Sequence, residues 1–514
     1  MIHLTSLKGL KPLWLVWGVC FLMSLWGCTQ APQARHTFDR TTSNLDPQGA
    51  AAEWRAVNRL TYGPTPTLLA EIKANGHPKD WAIGLLDAAR NASMQPVKLP
   101  ADLASINASL PDIFEGAKKE REARAAVPAG TQVNEQLSND KRFNFQESVD
   151  PLFYNRTQIN KAIAWRLASC ASDEFENPLL ARMTEFWFNH FNVYQQKGPV
   201  RPFVGHYVIN VARKHALGKF EDLVMASAKH PAMLYYLDQW LSVSPQASGA
   251  QNTRGLNENY ARELMELHTL GVHGGYTQND VRELARVLTG WTIAPRSSDG
   301  FQFAVRQHDA GPKNVMNQPI PSSARYIGMG EGEQAIRFLA NHPATAQRVS
   351  KRLAEYFVAD EPPQELIDVM AKTFLSSGGD IYEVMRAMLN HGSFWDPAHK
   401  LYRTPFDFAC GSLRVLNAGQ DRNKWLQSFG YTAAAGQGIH NWLTPDGYAF
   451  NANTWLTPEA LTRRIDFSLA IARNAAERPD LYAYLSDSSV NAVKKQPPAQ
   501  RMGFVLGSSE MVFK

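Results

Sequence analysis

The chain is poor in cysteine, in long apolar runs and in net charge. Four cysteines in 514 residues exclude a small disulfide-knit scaffold, and none of them stands in a CxxC metal knuckle. Lys and Arg number 53 against 48 Asp and Glu, a formal charge of +5, and no basic run is dense enough for a nucleic-acid footprint. Nucleic acid is therefore not an expected partner. Neither HExxH nor GxSxG occurs, which removes two familiar signatures of hydrolytic chemistry. With 44% apolar residues the chain is neither disordered nor collagen-like, and its length can bury a large core.

The one long apolar stretch stands at the front. Leu13 to Trp26 follows Lys8 and Lys11 with no acidic residue before it, the pattern of a secretory signal, and it is too short for an ordinary spanning helix. It ends in Leu25-Trp26-Gly27-Cys28, which resembles a bacterial lipobox, although Trp26 is bulkier than is usual there. Residues 1–27 are read as a lipoprotein signal peptide, Cys28 as the lipidated first residue of the mature chain, and 28–49 as a flexible tether containing Pro32 and Pro47. The alternative is a plain signal with a fortuitous cysteine. Thr29, where an inner-membrane retention signal resembles Asp, directs the expectation to an outer-membrane lipoprotein of a Gram-negative cell envelope, with the membrane as partner through the lipid. Without Lys8 and Lys11 the formal charge falls from +5 to +3. Cys20 leaves with the signal, and Cys170 and Cys410 remain in apolar helical settings, either as one long-range disulfide or as buried thiols.

The body reads as mainly α: a single large multi-helix domain over 50–513, with a polar insertion near 101–150 and a small β-hairpin or long loop near 295–328. Apolar spacing of three and four predicts helices over 50–60, 67–74, 161–171, 179–191, 203–215, 220–228 and 233–240. Thr277-Gln278-Asn279-Asp280 forms a capping box that opens a helix to Leu288, Pro343 opens one to Phe357, and Gly378-Gly379-Asp380 ends one helix and caps the next. In 101–150, Lys118 to Arg124 reads as a solvated helix face. In 295–328, Phe301–Val305 and Arg325–Ile327 read as extended pieces.

Three passages can carry chemistry. In the first, Asn257 to Gly271, an α-helical projection puts Asn259, Arg262, Glu263 and Glu266 on one arc. Two carboxylates at i and i+3 beside Asn and Arg suit a cation or an acid/base pair; the competing reading is a solvated face in which Arg262 pairs with Glu266. His268 falls on the apolar side and reads as a core histidine bonded to a backbone carbonyl. In the second passage, Arg182 to Phe191, the helix is apolar almost all round, so Glu185, Asn189 and His190 lie inside and need partners. A divalent metal held between the two helices is the less favoured reading, since the spacing is not Glu-x-x-His. In the third passage, the His308-Asp309 step with Lys313 offers a general acid/base or a ligand, or else Asp309 makes an Asx turn into Gly311.

These passages combine with Arg59-Leu60-Thr61-Tyr62-Gly63-Pro64-Thr65, Pro231-Ala232-Met233-Leu234 before Tyr236-Leu237-Asp238, Phe394-Trp395-Asp396-Pro397 and Leu506-Gly507-Ser508-Ser509-Glu510. Together, in this order, they resemble the bacterial family catalogued as domain of unknown function 1800, over about Ala50 to Phe513. The resemblance implies a secreted, mostly helical protein, often encoded beside a secreted protein of alkaline-phosphatase or sulfatase type, and it brings no established activity. The family pattern admits Phe at the position of His268, which counts against that residue as a ligand. The insertion at 101–150 looks longer than is typical.

The resulting expectation is a lipid-anchored envelope protein with a polar cleft. Asn257, Asn259, Arg262, Glu263 and Glu266 line it, and Glu185, Asn189, His190, His308, Asp309 and Lys313 approach from neighbouring elements. One function is hydrolysis or modification of an envelope or extracellular polymer, with Glu263 or Glu266 as acid/base; the other is a non-catalytic accessory role beside a sulfatase-like or alkaline-phosphatase-like partner. Carboxylates converging in a concave pocket favour the enzyme, and carboxylates sealed by Arg and backbone donors favour a structural network.

Overall fold

The helices begin where the sequence supplies a capping oxygen and a proline. Thr65 accepts from the Leu68 N–H before Pro66–Asn75, Asn177 from Leu179 and Leu180 before Pro178–His190, and Thr404 from Asp407 before Pro405–Val415. The Thr277–Asp280 capping box is formed and opens Gln278–Leu288. The computed structural model describes residues 47–128, 150–247 and 255–514; the signal segment, Cys28 and nearly all of the tether lie outside the described residues. The fold is mainly α, and the strands among the described residues form two small antiparallel two-stranded sheets. No helix among them is long and apolar enough to cross a membrane.

Pro178–His190 runs through the core: every residue of it except Glu185 is buried. The Trp187 indole donates to the Ala216 carbonyl at 2.8 Å, and its ring packs against Phe186, His190 and Phe220. The stretch near 101–150 is tied to this core more closely than a polar insertion need be. It contains a 3-10 segment Ala101–Asn107 and a helix Leu110–Ala125, which bury Leu103, Ile106, Leu110 and Ile113, while Lys118 stays exposed beside Glu115 and Glu122.

Two segments expected as regular helices contain a wider turn. Val208–Arg213 and Leu264–His268 are π-helical. In the second, the Thr269 hydroxyl donates to the Leu264 carbonyl at 2.6 Å and the Gly271 N–H to the Met265 carbonyl at 3.1 Å, so the chain unwinds toward the left-handed Gly271 at φ 86. A π segment shifts the phase of every side chain after it, so a single α-helical arc does not describe Glu263 and Glu266.

The 295–328 region holds more sheet than one hairpin. Strand β1, Trp291–Ile293, pairs with β2, Phe301–Phe303, and β3, Lys313–Val315, pairs with β4, Gln318–Ile320. The second turn places Met316 and Asn317 at φ 50 and 63, the geometry of a two-residue primed turn, and Asp280 accepts the Met316 N–H at 2.7 Å. Arg325–Ile327, expected to be extended, is corrected: Ala324–Tyr326 is a 3-10 turn, closed by the Ile327 N–H on the Ala324 carbonyl.

The interior contains many cations. Arg59, Arg182, Arg403 and Arg414 are 0% exposed and Arg464 is 2% exposed. Arg182 pairs with Asp407 at 3.0 Å while its guanidinium lies over the Tyr62 and Tyr356 rings. Arg59, Arg414 and Arg464 donate to the carbonyls of Phe394, in the short Gly392–Trp395 helix, and of Gly63 and Arg403, in irregular chain. A disulfide joins Cys170 to Cys410, linking the Tyr154–Ala171 helix to Pro405–Val415 across 240 residues.

Because that bridge closes a long loop, its removal releases the unfolded chain. Cys170→Ser with Cys410→Ser is expected to lower unfolding free energy by about 2–4 kcal/mol in denaturant titrations without reductant. An unchanged midpoint and slope would mean that the bridge contributes nothing.

Candidate functional site

The acidic residues at 263 and 266 are held by polar groups that are themselves fully engaged. Asn257 accepts the Asn259 N–H at 2.9 Å and donates to the Asp238 carbonyl at 2.9 Å, and Asn259 donates to the Leu237 carbonyl at 3.3 Å. Both asparagines therefore anchor the start of Asn259–Glu263 to the end of the Pro231–Tyr236 helix. The expected Arg262–Glu266 pair is not formed. Arg262 turns toward Gln278, 2.8 Å away, and Glu258, 3.6 Å away, and Gln278 donates to Glu258 at 2.7 Å.

That arrangement leaves Glu263, half-buried, with no hydrogen bond or ion pair from the described residues. Burial first, then the Glu266 and Asp446 carboxylates, hold its pKa above the ordinary glutamate value against the opposing pull of Arg262. The Tyr276 phenol is raised by burial and by its hydrogen bond to Glu266. Tyr236, which donates to the Leu443 carbonyl at 2.8 Å, is raised by burial and by the field of Glu263 and Asp446. From the Pro343–Phe357 helix, Arg348 donates twice to the Leu267 carbonyl, at 3.1 and 3.0 Å, and Arg352 stacks on Phe450. Glu263, Glu266, Asp446, Tyr236 and Tyr276 form one electrostatically coupled set, with Arg262, Arg348 and Arg352 as its cations.

Asp446 belongs to a loop, Gly436 to Phe450, that the sequence reading missed. The Trp442 indole and the Thr444 hydroxyl donate to Asp446 at 2.9 and 2.6 Å, and Asn192 donates to the Trp442 and Thr444 carbonyls at 3.1 and 2.8 Å. Asn189 clamps Tyr448, donating to its carbonyl at 2.9 Å and accepting its N–H at 2.7 Å. Gly447 makes that close approach feasible: at φ 73, an added Cβ would stand 2.1 Å from the Asn189 carbonyl. The available signal was the turn pattern Thr444-Pro445-Asp446-Gly447 among Trp442, Tyr448 and Phe450.

Other expected site residues are sealed. His190 is buried and bonds through Nε2 to the His268 carbonyl at 3.1 Å; burial and Arg352 hold it well below the ordinary histidine value, so it is neutral and donates. His268 lies against Phe191, lowered to about 3 by burial and by Arg348, and its Nε2 has no hydrogen-bond partner instead of the expected carbonyl. Glu185 is paired with the buried Arg166. Asp309 takes a two-point contact from Arg286 at 2.9 and 3.1 Å and accepts the Gly311 N–H at 2.9 Å, the Asx turn. His308 bonds to the Thr289 carbonyl at 2.8 Å and lies 3.3 Å from Glu331, which pairs with the fully buried Lys313 amine at 2.6 Å. The expected approach of His308, Asp309 and Lys313 to the carboxylates is corrected. Asp309 is tied to Arg286 of the Gln278–Leu288 helix and His308 to Thr289 at its end, while Lys313 is tied to Glu331 of the Met329–Ala340 helix; among the described residues none of the three contacts Glu263 or Glu266. Among the described residues no group of three or more His, Cys, Asp or Glu side chains is placed to hold a metal ion.

Residues 55–507 match the family described as Protein of unknown function (DUF1800), and the chain belongs to that family. No curated protein and no solved structure matches it.

The sealed and the open carboxylates are expected to respond to pH with opposite signs. Glu263, with a raised folded pKa, favours the fold below its unfolded value, and that benefit is lost as pH rises through the folded value. Glu263→Gln should therefore melt above wild type at pH 7.5 and level with it near pH 4. Asp309 is lowered, first by its hydrogen bonds from Arg286, so its contribution exists above the unfolded value and disappears in acid. Asp309→Asn should cost about 1–3 kcal/mol at pH 7.5 and less in acid. Thermal melts across this range check both, and equal behaviour of the two variants would remove the distinction between sealed and open groups.

Proposed function

We propose that the chain is a lipid-anchored cell-envelope protein, probed best as a hydrolase-like enzyme on an envelope or extracellular polymer, with Glu263 as proton donor and Glu266 as its basic partner. The observation that supports this reading is the state of Glu263: a half-buried carboxyl kept toward its protonated form by burial, Glu266 and Asp446, with no hydrogen bond or ion pair closing it off. A general acid working near neutral pH needs this tuning, and a neighbouring carboxylate is the usual means of driving two carboxyl pKa values apart. Asp446 and the Tyr236 and Tyr276 phenols contribute further hydrogen-bonding groups in the same field. The anchor rests on the residues around Cys28 alone.

A second reading, the accessory partner of a secreted sulfatase-like or alkaline-phosphatase-like protein, is favoured by a different surface. Leu461, Ile465 and Leu469 recur at every fourth residue of the Pro458–Ile471 helix and are 38%, 53% and 40% exposed, with Phe504 on the packed Pro498–Leu506 helix 37% exposed. An apolar stripe of this kind suits contact with a protein partner.

Release of soluble fragments from isolated cell envelopes separates the two readings. Glu263→Gln and Glu266→Gln are each expected to slow release by about 10²- to 10⁴-fold with folding retained. Release at the wild-type rate in both variants would end the acid/base reading, and loss of function in Ile465→Asp alone would support the accessory one. Metabolic palmitate labelling tests the anchor: wild type should carry label and Cys28→Ser should not, and equal labelling would refute lipidation at Cys28.

A further inference from the structure

The Pro343–Phe357 helix carries Arg348 and Arg352 one turn apart, Arg348 in the field of Glu266 and Arg352 in that of Asp446. Like charges at this spacing repel, so each guanidinium needs a partner to hold it. For Arg348 the fold supplies one. Its Nε and Nη2 donate to the Leu267 carbonyl, and the left-handed Gly271 leaves room beside it, since an added Cβ there would stand 3.2 Å from the Arg348 Cδ and 3.3 Å from its Nη1.

For Arg352 the described residues supply no acceptor. The side chain is half-buried, its guanidinium lies 4.7 Å from the centre of the Phe450 ring, and its Nε is sealed from water without a hydrogen bond. The two anions in its field are occupied by others: Glu355 lies 3.8 Å from Lys351, and Asp446 accepts from Trp442 and Thr444. The Phe450 face attracts the cation but takes none of its N–H groups in a carboxylate-like bond. Only Nε is sealed, so the Nη edge of the fork is open to solvent. Elsewhere in this interior the buried guanidinium has its anion: Arg182 has Asp407, Arg166 has Glu185 and Arg213 has Glu176. Arg352 departs from that rule in the neighbourhood where Glu263 is also without a partner, and a buried donor left over in a native fold calls for a ligand to account for it.

We propose that Arg352, with the remaining Nη1 of Arg348, is a subsite for an oxyanion carried by the ligand, the carboxylate of an acidic sugar or the phosphate of a phosphate-bearing polymer. The choice of an oxyanion follows from the donors. A planar guanidinium presents parallel N–H groups to two oxygens of one anion, and contact with Phe450 limits how that plane can turn. A cation would meet two guanidinium groups, and a neutral hydroxyl would leave their charge uncompensated. Burial raises both Glu263 and Glu355, so neither opposes an anion as a fully ionised carboxylate would. That leaves Glu266 and Asp446 set against Arg262, Arg348 and Arg352. The inference deepens the hydrolytic reading by naming an acidic substrate class, and rests on that reading only in treating the bound anion as part of the substrate.

The test is calorimetric titration of the full chain in detergent with three trimers: trigalacturonate, tri(glycerol phosphate) and neutral cellotriose. At least one anionic trimer should bind about tenfold or more tightly than cellotriose, and the tighter of the two identifies carboxylate or phosphate as the source. Arg352→Gln should bring the anionic trimers to the cellotriose level, while Arg352→Lys, which keeps the charge without the fork, should fall between. Because no described group pairs with the guanidinium, unliganded Arg352→Gln should melt within about 3 °C of wild type. Cellotriose binding as tightly as both anionic trimers, no binding of either anionic trimer, or anion binding untouched by Arg352→Gln would each overturn the proposal. A melting temperature far below wild type in both variants would also overturn it, by giving Arg352 a structural role instead. Glu263→Gln keeps the two readings apart: retained anion binding with wild-type polymer release would defeat the acid/base assignment and leave the subsite standing, and slowed release without anion binding in wild type would do the reverse.

Discussion

The ion pair of Arg182 with Asp407 is the contact on which the rest of the interior depends. Both side chains are out of water, and Lys514 reaches the same carboxylate, so one anion serves two cations. Burial alone would raise the Asp407 pKa, but Arg182 and Lys514 hold it well below the ordinary aspartate value. Lys514 yields instead, pulled down to about 7 by burial and by Arg182. Such a pair is weak evidence of net stability, because desolvation offsets its Coulomb energy, but losing either partner strands a buried charge. Its structural effect is placement: it fixes Pro178–His190 against Pro405–Val415, the helix that also carries Cys410.

Once that central helix is fixed, the polar residues along it follow. Glu185 comes to the one position not buried, Asn189 meets the backbone of Tyr448, and His190 meets that of residue 268. The Gly436–Phe450 loop is thus pinned from the core outward, and Asp446 is placed with it. A loop held by side-chain amides rather than by regular structure can place a carboxylate where neither helix nor strand would project it.

What was legible in the sequence was what local rules decide. Pro343–Phe357 and Gln278–Leu288 begin and end where proline, the capping box and the apolar period place them, because orphan N–H groups and a 3.6-residue stripe are properties of the local chain. The π segment at Leu264–His268 was not legible, since it depends on a threonine hydroxyl taking a carbonyl five residues back and on a glycine six residues along. The Met316-Asn317 turn lacks the usual Asn-Gly signal, and it is held by Asp280 from a distant helix. The acidic pair was found from its spacing, yet its partners Asp446, Tyr236, Tyr276, Arg348 and Arg352 come from four other stretches of chain. The Asx turn at Asp309 was among the expected alternatives, and what local spacing could not show was Arg286 closing on that carboxylate from a helix 23 residues away.

Family membership carries no activity here, so the argument for a site has to come from which polar groups the fold leaves unspent. Asn189, His190, Asn257, Asn259, Asp309 and Lys313 each meet a backbone or ionic partner that accounts for them, and a residue so accounted for explains architecture. Glu263 is the group left over: its surroundings raise it, and no hydrogen bond or ion pair from the described residues accounts for it. A carboxyl in that state adds nothing to the architecture and costs stability when it ionises, so its presence beside Glu266 is better explained by chemistry than by packing.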